Sequence, residues 1–167
     1  MNPSTSAAIL LAGLLLAGTT HATPIEMDGI GLSRDVPCGG KDVSITGNEN
    51  RIQLTGDCGA VIVYGSDHQV SLETATTLEV SGVGITVEAD SVGGLSVDTN
   101  RNRVRTAIAG RGQPAVVEVS GAEHELELQF DGPAQVTVDG ADNRLQWRGD
   151  EPSISSSGVD HVIDRQD

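Results

Sequence analysis

One short phrase recurs along almost the whole chain and constrains its fold more than any other feature. In its clearest copy, Val136 and Val138 precede Gly140, and Leu145 and Trp147 follow it. With the glycine as position 0, apolar residues stand at −4, −2, +5 and +7, with polar residues between them. Alternation of period two is typical of a strand with one buried face. The phrase therefore predicts two short strands joined at a glycine corner.

Seven copies of the phrase align on these offsets. Position 0 is occupied, in chain order, by Gly47, Gly65, Gly82, Thr99, Gly121, Gly140 and Gly158. The steps between them are 18, 17, 17, 22, 19 and 18 residues. In the Gly82 copy, Ile85 and Val87 arrive two residues early, so we interpret it as cut short. A partial earlier turn is indicated at Ile30 and Leu32.

The repeat predicts how the copies pack together. Two half-buried strands cannot bury their face alone, whereas units stacked at roughly 4.8 Å build one continuous interior. We therefore predict an all-β fold, a parallel β-solenoid (β-helix) of about seven coils of 17–22 residues with a short third side. The general crossover preference makes it right-handed. The alternative is an antiparallel β-barrel or trefoil, although few two-residue hairpin turns link the strands.

Stacked coils also place opposite charges side by side. The register pairs each of three arginines with a glutamate one coil later: Arg101 with Glu123, Arg103 with Glu125 and Arg105 with Glu127. An exposed pair contributes only about 0–1 kcal/mol, but three in register specify which coils are neighbours.

Two cysteines, Cys38 and Cys58, stand 20 residues apart, about one coil. In an exported chain an even number of cysteines favours a disulfide. Stacking would bring the two α-carbons within the separation that a disulfide tolerates. Closing that loop should contribute roughly 3 kcal/mol to stability.

Position +3 holds only amide and imidazole side chains in six of the seven copies. This inward column, a predicted structural ladder, comprises Asn50, His68, Asn102, His124, Asn143 and His161. A catalytic dyad or a zinc site is disfavoured, because the motif recurs in every coil and asparagine is a poor zinc ligand. We therefore predict no catalytic, metal or cofactor-binding residues.

Two other features are candidates for binding. Position +2 carries an acidic column that could bind calcium weakly, although we favour a solvated surface: Glu49, Asp67, Glu123, Asp142 and Asp160. The insertion from Ala107 to Pro114 projects from the scaffold, and Gly110, Arg111 and Gly112 form its candidate binding loop.

The N-terminus and the net charge indicate where the chain works. An apolar run from Ala7 to Ala17, followed by small residues up to Ala22, predicts a signal peptide at 1–22 and a single domain at 23–167. The processed chain would have no membrane span and would be periplasmic or secreted. Its charge of −14 disfavours nucleic acid as a partner.

Several segments of the N-terminal half resemble a bacterial family. They are Val36–Gly40, Val43–Gly47, Leu54–Cys58 and Val61–Val70. The chain resembles the domain-of-unknown-function family numbered three thousand and sixty, which comprises short exported or lipid-anchored proteins. The resemblance implies a cell-envelope protein and no assigned activity. The shortened Gly82 copy and the missing lipidation cysteine depart from the commoner pattern.

These observations favour a non-enzymatic binding or structural module that contacts a protein or an envelope polymer. The alternative is a small polysaccharide-active lyase or hydrolase, since larger solenoids host such enzymes. Few short coils form little groove, and the chain has only three aromatic residues for stacking on sugars: Tyr64, Phe130 and Trp147.

Overall fold

The computed structural model describes residues 23–110 and 112–167, and the regular secondary structure of this part is all strand, without a helix. The predicted signal peptide, at 1–22, and Arg111 lie outside the described residues. Fourteen strands occur in the described part: β1 Ile25–Ile30, β2 Ser33–Pro37, β3 Val43–Asn48, β4 Arg51–Ser66, β5 Gln69–Val83, β6 Thr86–Val92, β7 Leu95–Asn100, β8 Arg103–Ile108, β9 Ala115–Val119, β10 Glu125–Phe130, β11 Ala134–Ala141, β12 Arg144–Gly149, β13 Ser153–Val159 and β14 Val162–Arg165.

The strands stack as two long sides of one solenoid. Side A contains the strands before each corner, namely β1, β3, the second half of β4, the second half of β5, β7, β9, β11 and β13. Side B contains those after it, namely β2, the first half of β4, the first half of β5, β6, β8, β10, β12 and β14. Every pairing is parallel, so the predicted β-solenoid is confirmed and the antiparallel barrel or trefoil is excluded.

The described residues form eight coils, one more than predicted. The additional coil is the partial turn indicated at Ile30 and Leu32, because β1 pairs with β3 and β2 pairs with β4. Gly29 stands opposite Gly47 and so occupies position 0 of this first coil. Eight strands spaced at about 4.8 Å make a rod roughly 35 Å long.

The alignment of the Gly82 coil is corrected by the structure. Val87 stands opposite Val70, so it occupies position +5 and Ile85 occupies position +3. The corner therefore has its usual length, and a fully buried isoleucine interrupts the polar column. Coils differ in length further along side B, where the register shifts between Leu54 and Asp57.

Apolar side chains from both long sides fill the interior, since positions −4, −2, +5 and +7 point inward. A short third side adds the buried residues Ala75, Val92 and Ile108. Phe130 and Trp147 meet edge to face with ring centroids 6.2 Å apart, and Trp147 is buried, as predicted.

The predicted disulfide between Cys38 and Cys58 is confirmed. The two α-carbons lie 4.9 Å apart, which is within the normal range for a disulfide. Both cysteines are buried, so the bond ties the first coil to the second from inside.

Across 23–110 and 112–167, no helix is long and apolar enough to cross a membrane.

Candidate functional site

Each corner is a point of close backbone approach. A Cβ atom added at the position-0 glycines of the later coils would lie 1.9–2.1 Å from the position-0 carbonyl oxygen of the preceding coil. No real Cβ atom tolerates such a contact, so these corners require glycine. The residues involved are Gly47, Gly65, Gly82, Gly121, Gly140 and Gly158. Thr99 stands in the same column with a φ of 77°.

Each asparagine side chain of the inward column connects its own coil to the preceding one. Asn102 Oδ1 accepts the backbone N–H of Ile85, one coil earlier, at 2.9 Å. Its Nδ2 donates to Gly82 O at 2.9 Å and to Asp98 O at 2.8 Å. Asn50 and Asn143 repeat this pattern. Buried backbone groups that the corner leaves unpaired are thus satisfied by the side chains themselves.

The histidines of the column have the same role with different atoms. His124 Nδ1 accepts the backbone N–H of Asn102 at 3.2 Å, and its Nε2 lies 2.9 Å from Ser120 O. Because a carbonyl oxygen only accepts, Nε2 carries the proton and the ring is neutral. His68 and His161 make the corresponding contacts. Burial lowers the pKa of His124, although the Ser120 carbonyl and Asp98 oppose this shift.

The residues of the acidic column at position +2 share a backbone conformation that the sequence pattern does not reveal. All five residues have left-handed backbone conformations, with φ between 55° and 58°. Their side chains are exposed. Aspartate tolerates this region better than most residues, and Arg101 and Gly84 occupy it in the remaining inner coils. The column is therefore a series of strained corners with solvated carboxylates.

Two of the three predicted Arg–Glu pairs form. Arg105 Nη2 lies 2.6 Å from Glu127 Oε2, and Arg103 forms an ion pair with Glu125. The hydrogen bond and charge of Glu125 raise the pKa of Arg103 above its usual value. Arg101 is not within ion-pair distance of Glu123, because its left-handed backbone turns it out of the strand.

The remaining predicted features do not converge on a reaction centre. No group of three or more His, Cys, Asp or Glu side chains could hold a metal ion among the described residues. Gly110 and Gly112 lie in the insertion between β8 and β9, and Arg111, the third residue of the candidate binding loop, is outside the described part.

A surface feature not predicted from the sequence lies on the outside of side B. A depression of about 420 Å³ is lined by outward side chains of the first coils, including Arg51, Gln53, Gln69, Ser71 and Glu88. A second depression shares Gln53, Ser71 and Glu88 with it, and a third continues from Asp90 and Arg105 to the far end. We call this row of adjoining depressions the side-B trough.

The trough combines hydrogen-bond donors, acceptors and both signs of charge. Arg51 donates to Gln69 Oε1 at 2.8 Å, so two of its side chains are mutually oriented. Its unpaired carboxylates, such as Glu88 and Asp90, are exposed. The surface is therefore suited to binding a polar chain by hydrogen bonds.

The trough was missed because it depends on side-chain size across neighbouring coils. Short Ser71 and Thr86 lie between longer side chains such as Gln53 and Arg105. A comparison of the outward positions +4 and +6 between coils could have revealed it.

Comparison with known proteins gives a family without an assigned activity. No curated protein and no solved structure matches the chain. The model of one family, described as "Protein of unknown function (DUF3060)", matches residues 45–93 and 102–160. These segments cover most of the solenoid, and the chain therefore belongs to the DUF3060 family of proteins of unknown function.

Proposed function

We propose that the chain is an exported, non-enzymatic binding module that holds an extended, neutral polysaccharide of the bacterial envelope in the side-B trough. The observation that carries the proposal is that the depressions of the trough adjoin one another and follow the rod from the first coil to the last. A row of open depressions along a rod roughly 35 Å long fits a linear polymer better than a small molecule.

The charges of the chain favour a neutral ligand. The trough carries arginines and carboxylates side by side, whereas the chain as a whole has a charge of −14. The overall charge repels polyanions, so hydrogen bonding to a neutral ligand would be the main attraction. Gln53, Gln69 and Ser71 supply both donors and acceptors for hydroxyl groups.

Export and processing are part of the proposal. The apolar run and the small residues before Thr23 support cleavage after Ala22. N-terminal sequencing of the protein from a periplasmic or culture fraction should begin at Thr23. An intact N-terminus in the cytoplasmic fraction would contradict export.

A polysaccharide-active enzyme is the second candidate, since the ligand class is the same. It is disfavoured because the trough carboxylates are exposed or paired with arginine, and neither state suits a general acid. Release of reducing ends or of unsaturated product from envelope polysaccharide would reverse this ranking.

Co-sedimentation with insoluble, protease-treated envelope polysaccharide tests the proposal. Ser71→Arg fills the floor of the trough and should weaken binding at least about tenfold, because the large side chain occupies the space of the polymer. Ser96→Arg adds the same side chain to the outward surface of β7 on side A and should leave binding unchanged. Equal losses in the two variants, or no sedimentation of the wild-type protein, would contradict the proposal. Binding that protease treatment abolishes would identify a protein partner instead.

A further inference from the structure

The two ends of the solenoid are open β-sheet edges. In the part of the chain that the structure describes, no strand covers the outer edge of β1 and β2 or that of β13 and β14. Inside the rod, the residue at position +4 donates its N–H to the position +3 carbonyl of the preceding coil, as Val162 does to Asn143. The His161 carbonyl at one end and the Ser33 N–H at the other could therefore extend this pattern into a second copy of the chain.

On side A, the two ends are complementary. The three atoms nearest to a Cβ added at Gly29 all belong to the flexible Leu32 side chain, and the φ of Gly29 is not in the left-handed region. No preceding carbonyl requires glycine there, unlike at the later corners. In an end-to-end stack, the Gly158 carbonyl of a second copy would occupy that space.

The apolar residues at position +1 also match. Ile30 is 74% exposed at the first coil, and Val159 is 60% exposed at the last. The same register would place them side by side between two copies. On side A, a second copy could therefore pack against the end of the solenoid as one coil packs against the next.

On side B, each terminal coil has a charged residue at a core position. Arg34 stands opposite Ile52 and occupies position +5, a core position in the coils that follow. Arg165 stands opposite Trp147 at position +7, and its guanidinium carbon lies 5.2 Å from the centre of the Trp147 ring. Both terminal coils therefore carry an arginine where the interior of the rod would continue.

We infer that Arg34 and Arg165 are end caps that prevent a second copy of this chain from extending the solenoid. Stacking would bury Arg34 between Ile52 and the Ile163 of the other copy, and Arg165 between Trp147 and the other copy's Val36. Neither site offers a carboxylate on the core side, and a buried unpaired charge is strongly unfavourable. Inward-pointing charges are a known protection of sheet edges.

Two single variants test this inference when they are mixed. Arg34→Ile opens only the first coil, and Arg165→Leu opens only the last, so each purified variant should stay monomeric. Their mixture should form one junction and give a 1:1 dimer of twice the monomer mass by light scattering. Longer species should not form, because the outer ends still carry arginine. The double variant should form long rods visible by electron microscopy.

Matched variants separate end capping from a general effect of charge. Arg51→Leu and Arg144→Leu remove outward arginines at position +4, and their mixture should remain monomeric. Adding Gly29→Val to the Arg34→Ile variant should abolish the dimer, since the new side chain occupies the space of the incoming carbonyl. The inference would be overturned if the mixture of correctly folded variants stayed monomeric or if the Arg51/Arg144 control formed dimers. It would also be overturned if the dimer tolerated Gly29→Val or if the wild-type protein assembled end to end. None of these results depends on polysaccharide binding.

Discussion

The Nδ1 atom of His124 accepts the backbone N–H of Asn102 from the preceding coil at 3.2 Å. The other ring nitrogen is occupied as well, since Nε2 lies 2.9 Å from Ser120 O. Protonation of Nδ1 would turn this acceptor into a donor that faces another donor. The neutral ring therefore holds two coils in register, and the corner column depends on its protonation state.

Acid should destabilise the fold through His124. Its pKa is lowered in the folded state, mainly by burial, from an unfolded value of about 6.5. Above that pH both states are neutral, and stability is independent of this residue. Below it, the unfolded chain binds a proton that the folded chain does not, so the free energy of unfolding falls. Urea titrations at pH 8, 6 and 5 should show this decline.

His124→Asn is the control for the acid effect. Asparagine occupies the same column at Asn102 and Asn143 and supplies an acceptor that does not titrate. The variant should remain folded and lose part of the stability difference between pH 8 and pH 5. An unchanged difference would show that other groups cause the acid sensitivity.

Ile85 marks the place where a polar residue should be tolerated inside the core. In Ile85→Asn, the new amide oxygen would accept the backbone N–H of His68, and the new amide nitrogen would donate to the corner carbonyls. These hydrogen bonds should offset much of the lost apolar burial. Val87→Asn, two residues later and equally buried, offers no such partners. An unsatisfied buried polar group costs about 1–3 kcal/mol in addition to the lost apolar contact. Thermal unfolding should therefore show a loss at least about 2 kcal/mol smaller for Ile85→Asn, and equal losses would contradict the role of the column.

The corner glycines can be tested against a glycine of similar backbone conformation. Gly140 has a φ of 112°, and an added Cβ would lie 1.9 Å from Gly121 O. Gly132 has a φ of 131°, and an added Cβ would meet nothing within 4 Å. Gly132→Ala should cost about 1–2 kcal/mol from backbone strain alone, and Gly140→Ala clearly more. Equal unfolding free energies would exclude the carbonyl contact as the reason for glycine.

Reduction of the disulfide should destabilise the first coils. The Cys38–Cys58 bond closes a loop of about one coil, which corresponds to roughly 3 kcal/mol. A variant with both cysteines changed to serine should have a free energy of unfolding lower by that amount in urea titrations, and therefore a lower midpoint. The same midpoint with and without reductant would contradict this contribution.

The repeat predicted the stack, the disulfide and the polar column, because each depends on residue spacing within a copy or between neighbouring copies. It did not reveal the left-handed backbone at Asp67 and its counterparts, since a dihedral angle leaves no period-two signal. Ile85 was misaligned because an apolar residue at the corner resembles the start of a strand. The first coil was recognised only in part because Arg34 stands where its apolar residue would be expected.

Binding of a neutral polysaccharide in the side-B trough can be measured directly by NMR. Soluble fragments of neutral envelope polysaccharide should be titrated into isotope-labelled protein while backbone amide shifts are followed by NMR. The shifts should follow side B, with the largest at Gln53, Ser71 and Glu88, and no reducing ends should be released. Shifts confined to side A or to the loop around Gly110, or no shifts at millimolar fragment, would contradict binding in the side-B trough.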